Sequence, residues 1–131
     1  MSDKLIVKAV FSDVDGTLLN SVHRVTPRTG EWIHKILDKD IPFVIVSARS
    51  PSGIYPIMKR NGFECALISY SGALIMDRDR TVLYSKEIER GLAERIEQFF
   101  VKKAYDMSWC IYSGDDWLSP DRSDPRILRE E

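Results

Sequence analysis

Three short apolar runs alternate with two stretches of helical periodicity, and this alternation restricts the chain's fold more than any other feature. The runs are residues 5–12, 42–46 and 65–69. Between the first and second, Thr26 is a good N-cap and Pro27 suits the first helical position, while Trp32, Ile33, Ile36 and Leu37 fall on one face. Between the second and third, Ser50 caps, Pro51 follows, Ile54, Ile57 and Met58 make a stripe, and Asn61-Gly62 terminates. Strand, helix, strand, helix, strand with short connections predicts an α/β fold built on a parallel, doubly wound sheet. Right-handed crossovers then set the ends of the first two strands beside each other.

The first run stops at Asp13-Val14-Asp15-Gly16-Thr17. Carboxylates at the carboxyl end of a buried strand sit where open α/β sheets bind ligands. Two so close repel unless a cation, a shared proton or water intervenes. Mg²⁺ suits such an oxygen-rich corner. A held and desolvated Asp can also attack phosphorus. An Asp-Gly pair is equally a common turn. A calcium loop of the EF-hand kind fails, since it needs Gly where Leu18 stands and Glu where Arg24 stands. Neither a Gly-x-Gly-x-x-Gly nor a Walker-type loop occurs.

Composition excludes little. The 131 residues suffice for a domain with a real core. A net charge of −1 implies no global pull toward nucleic acid or an anionic membrane. No apolar stretch approaches a membrane span and no signal-peptide pattern opens the chain. Cys65 and Cys110 both lie in strand-like runs, so buried thiols in a reducing cytoplasm are expected. His23 and His34 show no zinc spacing.

After Ala73 the character changes. Residues 74–77 and 81–84 flank Arg78-Asp79-Arg80 as a hairpin. Residues 87–103 form the strongest helical pattern, with Ile88, Leu92, Ile96, Phe99 and Phe100 on one face, Glu87 and Glu89 opening it and Lys102-Lys103 closing it. Residues 107–113 alternate as a strand, Gly114-Asp115-Asp116 turns, and residues 117–119 return. The tail from Pro120 is polar, and Pro125 breaks it.

The segment Phe11-Ser-Asp-Val-Asp-Gly-Thr-Leu-Leu-Asn20 resembles the first signature of the haloacid dehalogenase-like superfamily, Asp-x-Asp-Gly-Thr-Leu. Ser47-Ala48-Arg49 stands where that superfamily usually has Thr-Gly-Arg, and Ser71-Gly72-Ala73 where it has Asn-Gly-Ala. The order of elements resembles the Cof-type branch, whose α/β cap is inserted after the third strand. The resemblance implies a Rossmann-like core over 1–73, a connecting hairpin over 74–86 and the beginning of an α/β cap over 87–131.

It also implies roles. Asp13 would attack phosphorus and Asp15 would serve as acid and then base. The Asp13 carboxylate and the Asp15 carbonyl would hold Mg²⁺. Gly16 and Thr17 would offer N–H groups to the phosphate, and Ser47 its hydroxyl, although Ser47 is also placed to cap a helix turn. Arg49 would grip a substrate anion, or stand solvated on the surface. The implied activity is Mg²⁺-dependent hydrolysis of a small phosphorylated metabolite, sugar phosphates foremost. Transfer to an acceptor by the same Asp13 chemistry is close behind.

Two further family signatures, a lysine and a Gly-Asp with an acidic partner, lie after the full cap in this branch, so the chain reads as an N-terminal half. In the alternative, Gly114-Asp115-Asp116 with Lys86 or Lys102 would supply them, but Leu118 and Ser119 occupy the acidic positions. A different class of function, a non-catalytic fragment that self-associates through an exposed edge of a three-stranded sheet, stays open.

Overall fold

The computed structural model describes residues 6–128. The chain divides into two compact units at Lys86/Glu87.

In the first unit, β1 (Val10–Asp13), α1 (Pro27–Leu37), β2 (Phe43–Val46), α2 (Pro51–Arg60) and β3 (Ala66–Ser69) follow one another, and after a short 3-10 turn (Tyr70–Gly72) come β4 (Leu74–Met76) and β5 (Val82–Ser85). The sheet has five strands in the order β1-β2-β3-β4-β5. The first three are parallel, and β4 and β5 join antiparallel. The fold is thus an α/β mixed sheet of Rossmann type. One expectation changes here: the hairpin is not an appendage, because Leu67, Ile68 and Ser69 pair with Met76, Ile75 and Leu74. The edge of β3 is therefore covered, and the three-stranded sheet with an open edge does not form.

Both crossovers step in the same direction across the sheet. With the usual right hand they place α1 and α2 on the same face. Burial alternates accordingly. Phe43, Ile45, Cys65 and Leu67 face a core shared with Ile33 of α1 and Ile54, Ile57 and Met58 of α2. Their alternates Val44, Val46, Ala66 and Ile68 are only half-buried. Phe43 meets Phe63 edge-on at 6.0 Å between ring centres, a favoured aromatic geometry.

The helix signals act as expected. The Thr26 hydroxyl accepts the Thr29 N–H, and the Ser50 hydroxyl accepts that of Gly53. Beyond α2, the N–H groups of Gly62 and Phe63 turn back to the carbonyls of Lys59 and Met58, the Schellman closure that asks for positive φ at Gly62. Gly62 has φ +67.

Four local expectations need correction. The first apolar run is not a buried strand over its length. Only Val10–Asp13 pairs, and Ile6 and Phe11 are 78% and 63% exposed, because β1 is a sheet edge with helices on one face only. Leu5 lies outside the described residues. Trp32 points to solvent at 55% exposure, with Lys35 Nζ 4.9 Å from its ring centre. Cys110 is exposed, whereas Cys65 is buried. Pro125 starts a short helix instead of breaking the tail.

The second unit contains α3 (Arg90–Lys103), β6 (Ile111–Ser113), β7 (Asp116–Leu118) and α4 (Pro125–Leu128). Helix α3 begins after Glu89, whose carbonyl accepts from Leu92 and Ala93, so neither Glu87 nor Glu89 lies in the first turn. Strand β6 is shorter than its alternation suggested. Gly114 and Asp115 form the two-residue turn between β6 and β7, with Ser113 opposite Asp116. The Asp124 carboxylate caps α4 by accepting from Arg126 N–H, and Ile127 is buried. No helix among the described residues is long and apolar enough to cross a membrane.

Candidate active site at the carboxyl edge of the sheet

The register sets Asp13 beside Val46, and Val46 beside Ile68. At this level β1 and β2 end, and β3 runs one residue further, to Ser69. The next residues on each strand, Val14, Ser47 and Ser69, are buried at 0%, 5% and 0% exposure. Asp13 and Ser47 therefore meet on adjacent strand ends, as the crossover argument requires.

After Asp13 the backbone makes a tight turn. Leu18 N–H donates to Asp13 O and Leu19 N–H to Val14 O, at 3.2 and 2.9 Å. Leu18 and Leu19 dive into the core and anchor the turn. Gly16 sits at φ +77 with open space where a Cβ would stand. Its glycine is required by conformation, not by crowding. The Thr17 hydroxyl donates to Asp13 Oδ2 at 3.4 Å, and the Thr17 N–H turns inward to Val14 O, also at 3.4 Å. Asp13 itself is exposed, so it is held without being desolvated by the protein.

Ser47 lies under the loop after β2. Its hydroxyl oxygen accepts the Arg49 N–H at 3.2 Å, which is the capping arrangement and leaves the hydroxyl proton to be given elsewhere. The loop after β3 locks onto it. Tyr70 N–H donates to Arg49 O and Ser71 N–H to Ser47 O, at 3.2 and 3.1 Å. Tyr70 and Ser71 adopt φ +50 and +54 to do so, a left-handed conformation costing about 1–2 kcal/mol per residue. The Asn-to-Ser departure at Ser71 thus falls where the backbone, not the side chain, makes these contacts.

Arg49 neither grips an empty surface nor stands solvated alone. Its Nε and Nη2 donate to Asp15 Oδ2 and Oδ1, both at 2.8 Å. That hydrogen-bonded pair holds the Asp15 carboxyl below its ordinary range, against an opposing effect of burial, and the charges of Arg49 and His23 add to the lowering. The pairing was not foreseen from sequence. Its signal was available, because Asp15 and Arg49 both follow the carboxyl ends of neighbouring parallel strands.

As for a divalent cation, the described residues contain no group of three or more carboxylate, imidazole or thiolate ligands. The donors present are the exposed Asp13 carboxylate and the Asp15 carbonyl, since both Asp15 carboxylate oxygens face Arg49. That sparse, hard-oxygen set fits Mg²⁺, which commonly keeps several waters and takes one or two carboxylates plus substrate phosphate. Gly114-Asp115 belongs to the hairpin turn of the other unit.

The chain matches a known family over most of its length. The model of the haloacid dehalogenase-like hydrolase family matches residues 10–131. The chain is 46% identical over 85 residues to a Haemophilus influenzae protein, and 34% identical over 116 residues to one from Mycoplasma pneumoniae, both named "Putative phosphatase". These matches take in 65% and 81% of this chain but 32% and 40% of the relatives. An HMP-PP phosphatase of Yersinia pestis is 25% identical, with 88% of this chain and 41% of that protein covered. The chain therefore spans less than half the length of these relatives. Among solved structures, a haloacid dehalogenase-like hydrolase from B. subtilis superposes with TM-score 0.80 at 24% identity, over 94% of this chain and 42% of that one. Another from Bacteroides thetaiotaomicron gives 0.81 at 23%, over 95% and 48%. With the Asp-x-Asp turn, the serine at the second strand end and this fold in agreement, the chain belongs to the haloacid dehalogenase-like hydrolases.

Proposed function

We propose that this chain carries the nucleophile-bearing part of a Mg²⁺-dependent phosphatase for small phosphate monoesters, sugar phosphates foremost. The observation that supports it is the meeting of Asp13, Asp15 and Ser47 at two adjacent strand ends. An Asp13 oxygen attacks phosphorus while the bond to the leaving oxygen breaks, and that oxygen takes a proton from Asp15. Asp15 then takes a proton from water, whose oxygen displaces Asp13 and frees inorganic phosphate. The Ser47 hydroxyl donates to a phosphoryl oxygen, and Gly16 and Thr17 shape the turn beneath it. A Mg²⁺ ion on the Asp13 carboxylate and the Asp15 carbonyl would supply charge neutralisation. Arg49 has to release Asp15 before the proton can be delivered, since the guanidinium favours the ionised form of that carboxyl. Residues 87–131 would then be the start of a cap that bounds the substrate.

Phosphate release from an aryl phosphate, with and without Mg²⁺, tests this reading. The expected result is Mg²⁺-dependent turnover that disappears in Asp13→Asn. Folded protein without turnover, alone and after addition of the remaining length of a relative as a separate polypeptide, would sink it and leave a non-catalytic module as the better account.

A further inference from the structure

We infer that the first unit has a second anion site, away from Asp13, that takes a phosphate-type oxyanion. Between the loop after β1 and the C-terminal half of α2 lies a cleft of about 330 Å³. That is room for about ten waters, more than a phosphate alone needs. Leu19, Val25 and Ile57 supply its apolar lining, and His23, Arg24 and Arg60 its basic lining. Among the described residues no carboxylate lines it.

The loop that carries His23 and Arg24 is held in place. The Asn20 side-chain oxygen accepts from Val22 and Arg24 N–H at 3.1 and 3.0 Å, and Asn20 N–H donates to Arg24 O at 3.0 Å. His23 is carried on this loop at φ +54. Across the cleft, Arg60 Nε donates to Pro56 O at 3.1 Å, which fixes the guanidinium and leaves its two terminal nitrogens without partners among the described residues. The Arg24 guanidinium likewise has no partner among them.

Arg24 and Arg60 both line this cleft with no carboxylate among its described lining residues, and an anion bound between them would offset two positive charges at once. A tetrahedral dianion matches that charge and accepts bidentate donation. A lone carboxylate would leave one positive charge uncompensated. The site stands independently of turnover at Asp13, although His23 also acts electrostatically on Asp15. Two sources have this chemistry: the far end of a substrate whose reacting phosphate lies at Ser47, and a free-standing ligand.

Calorimetric titration of the full chain with inorganic phosphate, in metal-free, chelator-free buffer at low salt, tests the site. Saturable binding is expected to weaken roughly tenfold or more in Arg24→Gln/Arg60→Gln, and to be unchanged in Lys59→Gln, an exposed neighbour outside the cleft. Arg24→Lys/Arg60→Lys should recover part of it. Circular dichroism establishes that each variant is folded. Wild-type affinity in the double glutamine variant, or no saturable binding by the wild type at millimolar phosphate, would overturn the inference. Repeating the titration with fructose 1,6-bisphosphate separates the sources, both of which keep the site. Weakening of that ligand by Ser47→Ala identifies a substrate that reaches both places, and indifference to Ser47→Ala identifies a separate anion.

Discussion

Arg49 holds Asp15 through two parallel hydrogen bonds of 2.8 Å, tying the turn after β1 to the loop after β2. Both side chains remain about half exposed, at 40% and 49%. Solvent screens such a pair, so its worth to folding is a few tenths to about 1 kcal/mol despite the bidentate geometry. Its larger effect is on the proton. Within the proposed reaction, the resting arrangement favours the base form of Asp15 over the acid form.

Replacing Arg49 by Ala should therefore let the Asp15 carboxyl rise toward its ordinary value of 3.8. The folded value is depressed, so the pair's stabilisation is fully present above 3.8 and is lost as pH falls through the lowered folded value. Urea unfolding of wild type and Arg49→Ala should differ at neutral pH and coincide in strong acid. Carbon NMR of the Asp15 carboxyl should show the rise directly. An equal stability gap at both pH values would refute the assignment.

The two thiols should behave oppositely. Burial pushes the Cys65 thiol up to about 11, and it is 3% exposed. Cys110 is exposed. Because the thiolate is the reactive form, a disulfide reagent should titrate one thiol quickly in the native protein and both in denaturant. Cys110→Ser should abolish the fast phase, and Cys65→Ser should leave it unchanged.

The one-sided helix layer makes alternate residues of β2 unequal. Ile45 is 0% exposed within the core, while Val46 is half-buried on the opposite face. Ile45→Ala should cost about 2–5 kcal/mol, with loss of folding at the upper end. Ile45→Val should cost about 0.5–1.5 kcal/mol. Val46→Ala should cost less than Ile45→Ala by denaturant titration, and parity between the two would mean that the second face is also packed.

Two helix ends carry left-handed residues with opposite prospects. Gly62 after α2 has φ +67, and an added Cβ would meet nothing closer than His34 Cε1 at 4.0 Å. Gly62→Ala should still destabilise by about 1 kcal/mol, from conformation alone. Ala104 after α3 holds φ +48. Ala104→Gly should stabilise by up to about 1 kcal/mol, because glycine enters that region freely. Thermal unfolding of the two variants should move in opposite directions.

Much of this protein was legible in the sequence because its signals are local. Thr26-Pro27 and Ser50-Pro51 start helices by satisfying their own first N–H groups. Asn61-Gly62 ends one by closing on its last carbonyls. The stripe Ile54, Ile57 and Met58 is buried because i, i+3 and i+4 share a face. Asp13 and Ser47 converge because strand order and crossover hand leave few alternatives.

Tertiary structure decided what depends on which surfaces meet. Phe11 and Cys110 are as apolar as Phe43 and Cys65, yet only the latter pair has a layer packed against it. The sequence pattern of α3 is amphipathic, yet Leu92, Ile96 and Phe99 stay 47%, 39% and 51% exposed, since periodicity gives a helix an apolar side without giving it a partner. The β4–β5 hairpin was foreseen, and its pairing with β3 was not, because a strand's apolar pattern does not name its neighbour. Arg49 and Asp15 are 34 residues apart in sequence. Their charges were plain in the sequence, and only folding the two strand ends side by side made them a pair.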